Sequence, residues 1–139
     1  MIILDTNVLS ALMRRDADQR VISWLDSHPA DSIWTTTITT FEIRFGLEIL
    51  PDGRKRKALE QAFARALQED LGNRVLPVDD TAAEAAARIA AHQRNTGRPV
   101  EIRDTLIAGI AAARKATLAT RNIRHFENTG ITTYDPWSA

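Results

Sequence analysis

The chain has 139 residues, 44% of them hydrophobic and 26% charged, which is the size and composition of one globular domain and excludes a disordered tract. With no cysteine there is no disulfide framework, thiolate metal site or cysteine nucleophile, and 18 Lys/Arg against 18 Asp/Glu leave no overall basic signature for nucleic acid. No apolar run approaches the ~20 residues that span a bilayer, and no basic leader with a long apolar core opens the chain, so a cytoplasmic protein with no membrane contact is expected.

The charge is unevenly placed. Residues 1–53 carry 4 Lys/Arg against 8 Asp/Glu, and residues 54–139 carry 14 against 10. An acidic front and a basic back suit a nuclease, with acids at a metal and arginines at phosphates. A mixed solvated surface gives the same pattern.

Met1-Ile2-Ile3-Leu4 is an unbroken apolar run, as expected of a strand buried on both faces. A helix is predicted from about Asn7 to Arg14, with Val8, Leu9, Leu12 and Met13 at helical spacing. A second, near Gln19 to Ser27, carries Val21, Trp24 and Leu25 on one face and ends at His28-Pro29. Ser32 to Thr36 reads as a second strand. The next helix runs from about Thr39 to Leu50, with Phe41, Phe45 and Ile49 recurring every four residues and Ile38 near the same face. Pro51-Asp52-Gly53 makes a turn. Leu59, Phe63, Leu67 and Leu71 then mark a helix that opens at Arg54-Lys55-Arg56-Lys57 and ends at Gly72-Asn73. Val75 to Val78 is a short third strand whose Pro77 points to an edge or a strand end. An alanine-rich helix follows from Thr81 to Arg94, then a break over residues 95–99, then a helix from Ile102 to Lys115. Thr117–Thr120 and Ile131–Tyr134 read as the fourth and fifth strands. Strands alternating with helices give an α/β fold with a mostly parallel five-stranded sheet in one domain.

Asp5 directly follows the first strand, at the sheet edge where open α/β folds place ligands. Glu42 and Asp104 lie near the starts of two later helices. Each acid has a local explanation. Asp5 can cap the helix after it, Thr39-x-x-Glu42 matches a capping box, and Asp104 suits a helix first turn. In a parallel sheet, however, these helix starts share one edge. Three carboxylates meeting there would repel one another unless a cation lay between them. A hard divalent ion such as Mg²⁺ or Mn²⁺ takes oxygen ligands, and Mg²⁺ commonly keeps several waters beside one or two carboxylates.

The sequence resembles the PIN-domain family, and within it the VapC-type toxins of the FitB-like branch. The resemblance rests on residues 1–10 (Met-Ile-Ile-Leu-Asp-Thr-Asn-Val-Leu-Ser) and on Ile38-Thr39-Thr40-Phe41-Glu42-Ile43-Arg44-Phe45-Gly46. Further along it rests on Gly97-Arg98-Pro99 with Asp104-Thr105-Leu106-Ile107-Ala108, on Leu118-Ala119-Thr120-Arg121-Asn122, and on Pro136-Trp137. It implies a three-layer PIN-like fold and a metal-dependent ribonuclease. The family's three acids map to Asp5, Glu42 and Asp104, as catalytic residues and metal ligands. The expected cofactor is Mg²⁺ or Mn²⁺, held by Asp5 and Asp104 with Glu42 direct or through water. Family members often carry a fourth acid at positions filled here by Asn122 and His125, so one ion is expected. Thr6, Asn7, Thr120 and Asn122 are read as supporting residues that brace the carboxylates. His125 is read as a surface residue in preference to the alternative of a titrating group near the site, and Arg44, Arg98, Arg103 and Arg121 as solvated arginines within reach of RNA phosphates. Phe63, Leu67, Trp24 and Trp34 are assigned to the core.

The resemblance further implies an RNA substrate, a homodimer, and a VapB-type antitoxin through which alone the protein would meet DNA. A PIN-like module that binds RNA or a partner with little catalysis is the alternative. An aspartyl-phosphate phosphatase would need an aspartate where Asn7 stands. A receiver domain would need an acid pair near its first strand and a lysine after its last.

Overall fold

The computed structural model describes residues 1–138. Five strands form one parallel sheet in the order β3-β2-β1-β4-β5. They are β1 (Ile2–Leu4), β2 (Ile33–Thr36), β3 (Val75–Leu76), β4 (Thr117–Ala119) and β5 (Thr132–Tyr134). The chain runs outward from β1 through β2 to β3, then crosses back to place β4 on the other side of β1. That reversal opens a crevice between the carboxyl ends of β1 and β4.

Six helices cover the sheet: α1 (Thr6–Leu12), α2 (Gln19–Asp26), α3 (Thr37–Glu48), α4 (Arg54–Arg65), α5 (Asp80–Asn95) and α6 (Ile102–Arg114). Alternation along β1 divides the core in two. Ile2 and Leu4 pack with Val8, Leu9, Val21, Ile43 and Phe63 on one face. Ile3 packs with Leu76, Ile107, Ile110 and Leu118 on the other, under α5 and α6. This is the expected three-layer arrangement. Among the described residues no helix is long and apolar enough to cross a membrane.

Helix boundaries follow their caps. Asp79 accepts from the Ala82 N–H at 2.9 Å and starts α5, and Lys115 ends α6 in the left-handed conformation at φ 52°. Several boundaries differ from the sequence reading by a residue or two, and three differences have a clear physical form. Helix α3 begins at Thr37, because Thr36 and not Thr39 is the cap, its hydroxyl accepting from the Thr39 N–H at 3.1 Å. The Thr39–Glu42 capping box is therefore not formed, and Glu42 sits inside the helix. The α4 path changes to a π-helical turn over Ala66–Asp70. Strand β3 stops at Leu76, before Pro77, at the sheet edge.

The apolar stripe of α3 is also turned the other way. Thr39, Ile43 and Leu47 are buried, while Phe41, Phe45 and Ile49 are more than half exposed. Residues 41 and 43 lie about 200° apart on a helix, so α3 carries two apolar stripes on opposite sides. Packing against α1 selects the slimmer one. Phe63 is fully in the core, and Trp24, Trp34 and Leu67 are half-buried against it.

Candidate active site

Asp5 leaves the carboxyl end of β1 and is 5% exposed. It is both the cap of α1 and the centre of a hydrogen-bond network. Its Oδ1 accepts from the Thr6 N–H at 2.8 Å. Its Oδ2 accepts from the Thr120 hydroxyl at 2.8 Å and from the Asn7 Nδ2 at 3.3 Å. Thr120 follows β4, so the bond spans the crevice between β1 and β4. Asn7 reaches the same loop a second time, its Oδ1 accepting from the Arg121 N–H at 3.0 Å. The Asn122 backbone N–H donates to the Thr120 hydroxyl at 3.0 Å, so it is the main chain of Asn122 that joins this network.

Glu42 comes from α3. The Thr6 hydroxyl donates to its Oε1 at 3.0 Å, and Arg103 Nη1 lies 3.6 Å from its Oε2. Asp104 comes from the first turn of α6. Its N–H is capped by Glu101 at 2.8 Å, a cap that sequence reading missed. The signal was present, since an acid stands three residues before Asp104 at a helix start.

Burial, reinforced by the negative charges of Glu101, Asp5 and Glu42, pushes the Asp104 carboxyl up to about 6. The nearby His125 acts in the opposite direction. Its Nδ1 lies 3.2 Å from Asp104 Oδ2, so His125 is not the plain surface residue expected. The 3-10 turn Ile123–Phe126 brings it there, and local periodicity does not reveal such a turn.

The network therefore brings Asp5, Thr6, Asn7, Glu42 and Thr120 together, and Asp104 feels the charge of Asp5 and Glu42. Among the described residues no three acids or histidines form a closed metal cage. Glu42 is turned to Thr6 and Arg103. The donor set is nevertheless all oxygen, and the Asp104 carboxyl, raised first by burial and then by its acidic neighbours, stands among negative charges that a cation offsets. Two carboxylates with water suffice for Mg²⁺, so these residues fit a hard divalent ion.

Of the four arginines, Arg103 faces Glu42, Arg44 lies over the Phe63 ring at 5.0 Å, and Arg121 lies over the Trp137 ring at 4.8 Å. Arg98 is exposed on the loop before α6.

Residues 2–131 match the PIN domain. The chain belongs to the PIN-domain family. A plasmid stability protein, StbB, of Pseudomonas syringae pv. tomato is 37% identical over 139 residues, covering 100% of both chains. The VapC ribonuclease Y4jK of Sinorhizobium fredii is 34% identical over 137 residues, covering 99% of this chain and 98% of that one. The crystal structure of FitAcB from Neisseria gonorrhoeae superposes with a TM-score of 0.85 at 31% identity and 100% coverage of both chains. This PIN domain thus has full-length likeness to a VapC ribonuclease in sequence and to FitAcB in fold.

Proposed function

We propose that this PIN domain is the ribonuclease toxin of a VapBC-type toxin–antitoxin pair, and that it hydrolyses RNA phosphodiester bonds. The observation that carries the reading is the buried Asp5 carboxylate held by Thr6, Asn7 and Thr120 at the end of β1, with Glu42 joined to it through Thr6 and Asp104 within reach of both negative charges. Asp5 and Asp104 would hold one Mg²⁺ or Mn²⁺, with Glu42 direct or through water. Such an ion, when bound, lowers the pKa of a water and offsets charge on a phosphoryl group.

The chain's own residues set up that chemistry. Thr120, Asn7 and the Thr6 N–H fix the Asp5 carboxylate in one orientation. The Thr6 hydroxyl fixes Glu42, which takes up Arg103 on its other oxygen. Asp104 is ionised above about pH 6 and then completes the acidic edge. Fixed carboxylates need little reorganisation when charge develops at phosphorus.

Likeness to the FitAcB and VapC proteins supports a VapB-type antitoxin as partner, and we further propose a homodimer that meets DNA through the antitoxin alone. The reading of PIN-like module that binds without cutting is kept by one observation: Asn122 and His125 stand where a fourth acid would.

The test is RNA cleavage by the protein freed of any antitoxin, in Mg²⁺ or Mn²⁺, in EDTA, and with Asp5→Asn and Asp104→Asn. Cleavage by wild type that drops to the EDTA background in both variants is the expected result. RNA left equally intact by all of them would decide for the binding module.

A further inference from the structure

The cleft beside the acidic edge holds a second built feature. Its lining includes Asn7, Ser10, Arg14, Asp16, Arg121 and Trp137, and its volume is about 410 Å³. That is within the range of small-ligand sites, ~300–1,000 Å³. Asn7 belongs both to this cleft and to the Asp5 network. From the Arg121 main chain to the Asp5 carboxylate there are two hydrogen bonds, at 3.0 and 3.3 Å.

We propose that Arg121, braced on the indole of Trp137, is a positioning residue that grips an RNA backbone phosphate flanking the bond to be cut. The proposal rests on the ribonuclease reading above and names the part of the substrate that this cleft takes.

Three observations support it. The first is charge. The cleft's two acidic neighbours are already neutralised: Asp16 pairs with Arg14 at 3.2 Å, and Asp18 pairs with Arg20 at 2.9 Å. Arg121 feels the charge of Asp18, which also lines the cleft, but among the described residues no carboxylate lies within ion-pair distance of it, so its guanidinium donors can turn to an incoming anion. The second is rigidity. The guanidinium carbon sits 4.8 Å from the Trp137 ring centroid, and Trp137 is half-buried against the core, its main-chain N–H donating to Asp135 Oδ1 at 2.9 Å. A planar guanidinium held flat on an aromatic face loses less freedom when it meets a phosphate. The third is linkage. The same residue whose side chain faces the cleft donates its main-chain N–H to Asn7, so a strand held here has a fixed position relative to Asp5.

The test has two arms. In the first, a short single-stranded oligoribonucleotide of mixed sequence is bound to the Asp104→Asn protein, with and without Arg121→Gln, across a salt series. Arg121→Gln removes the guanidinium but keeps the backbone N–H to Asn7. It is expected to weaken binding on the order of tenfold, as for a lost charge-assisted bond, and to flatten the log K against log salt slope by ~0.7. Arg121→Lys is expected to restore the slope and only part of the affinity. Trp137→Leu is expected to weaken binding, with Arg121→Gln added to it costing less than it does alone. In the second arm, RNA cleavage by Arg121→Gln in the otherwise wild-type chain is expected to show a raised KM with kcat changed less than about twofold.

An unchanged salt slope and KM in Arg121→Gln, while wild type cuts RNA, would overturn this inference and leave the ribonuclease reading standing. So would a loss confined to kcat, or a loss confined to antitoxin capture. A wild type that cuts no RNA but still shows the Arg121 salt slope would remove the nuclease reading and leave the phosphate grip.

Discussion

Nδ1 of His125 lies 3.2 Å from Oδ2 of Asp104, so an imidazole meets a carboxyl whose affinity for protons is raised. Asp104 sits at about 6 because of burial first, then Glu101, Asp5 and Glu42. Its folded value is above its unfolded one, so folding favours the protonated form. The ionised form therefore costs stability above about pH 6, and the cost is relieved as pH falls through 6 toward the ordinary carboxyl range. In the metal-free protein, Asp104→Asn is expected to raise stability at pH 8 by about 1–2 kcal/mol, allowing for solvent screening at this part-exposed group. The gain should shrink toward pH 5. Urea denaturation in EDTA at the two pH values checks this, and a gain that does not depend on pH counts against it.

The histidine opposes the rise in Asp104. His125→Gln removes that attraction, so Asp104 will hold its proton to higher pH. The acid limb of the pH profile for RNA cleavage is expected to move upward, while the plateau above it changes little. A limb that stays in place would mean that the contact does not set the ionisation of Asp104.

Thr120 should matter to stability as well as to the site. Its hydroxyl donates at 2.8 Å to Asp5, and both residues are buried. Thr120→Val keeps the shape and leaves a buried carboxylate one donor short. The expected cost is about 1.5–3 kcal/mol in urea unfolding. Thr120→Ser, which keeps the hydroxyl, should lose less than half of that.

Much of the fold was legible because buried parallel strands and caps leave plain local marks. Met1–Leu4 reads as a central strand since both its faces are apolar, and it is central. Pro77 reads as a strand end, and β3 stops before it at the sheet edge. Local signals fail where two solutions are equally periodic. Phe41-Phe45-Ile49 and Ile43-Leu47 are both helical stripes, and only the packing of α3 on α1 decides between them. The site divides in the same way. Asp5, Thr6, Asn7, Glu42 and Thr120 are legible from their types and order and are joined by hydrogen bonds. Glu101 and His125 gain their places from a cap and a 3-10 turn, and nothing in the local pattern ties His125 to a residue on α6.

The two stripes of α3 make opposite predictions. Ile43 is 7% exposed, so Ile43→Ala should cost about 2–4 kcal/mol. Phe41 and Phe45 stack on each other in solvent with ring centroids 6.2 Å apart. Phe41→Ser with Phe45→Ser should change the stability of the dilute, partner-free protein by only about 0.5 kcal/mol or less. Thermal melts of both variants at low concentration check the assignment, and a large loss in the double variant would place the phenylalanines inside.

Gly109 tests how the third acid is carried into place. It lies in α6 five residues after Asp104, where the helix crosses α5. A Cβ added there would sit 2.6 Å from the Ala82 carbonyl oxygen and 2.6 Å from the Ala86 Cβ. Neither neighbour is a flexible tip. The Ala82 oxygen is main chain, and the Ala86 Cβ is fixed to it, so α5 and α6 must move apart. The crossing joins the layer that buries Ile89, Ile107 and Ile110, and separating it exposes or loosens those contacts. Gly109→Ala gains some helix propensity, about 1 kcal/mol, yet overpacking typically costs about 1–3 kcal/mol. The net expectation is a loss of up to about 2 kcal/mol in urea unfolding. Because α6 also carries Asp104, a displaced helix shifts that carboxylate relative to Asp5 on the sheet edge. RNA cleavage should therefore fall further than the fraction of unfolded protein accounts for, and Gly109→Ala with Ala86→Gly should recover part of both losses. Full activity in a destabilised Gly109→Ala would show that Asp104 keeps its place without the close crossing.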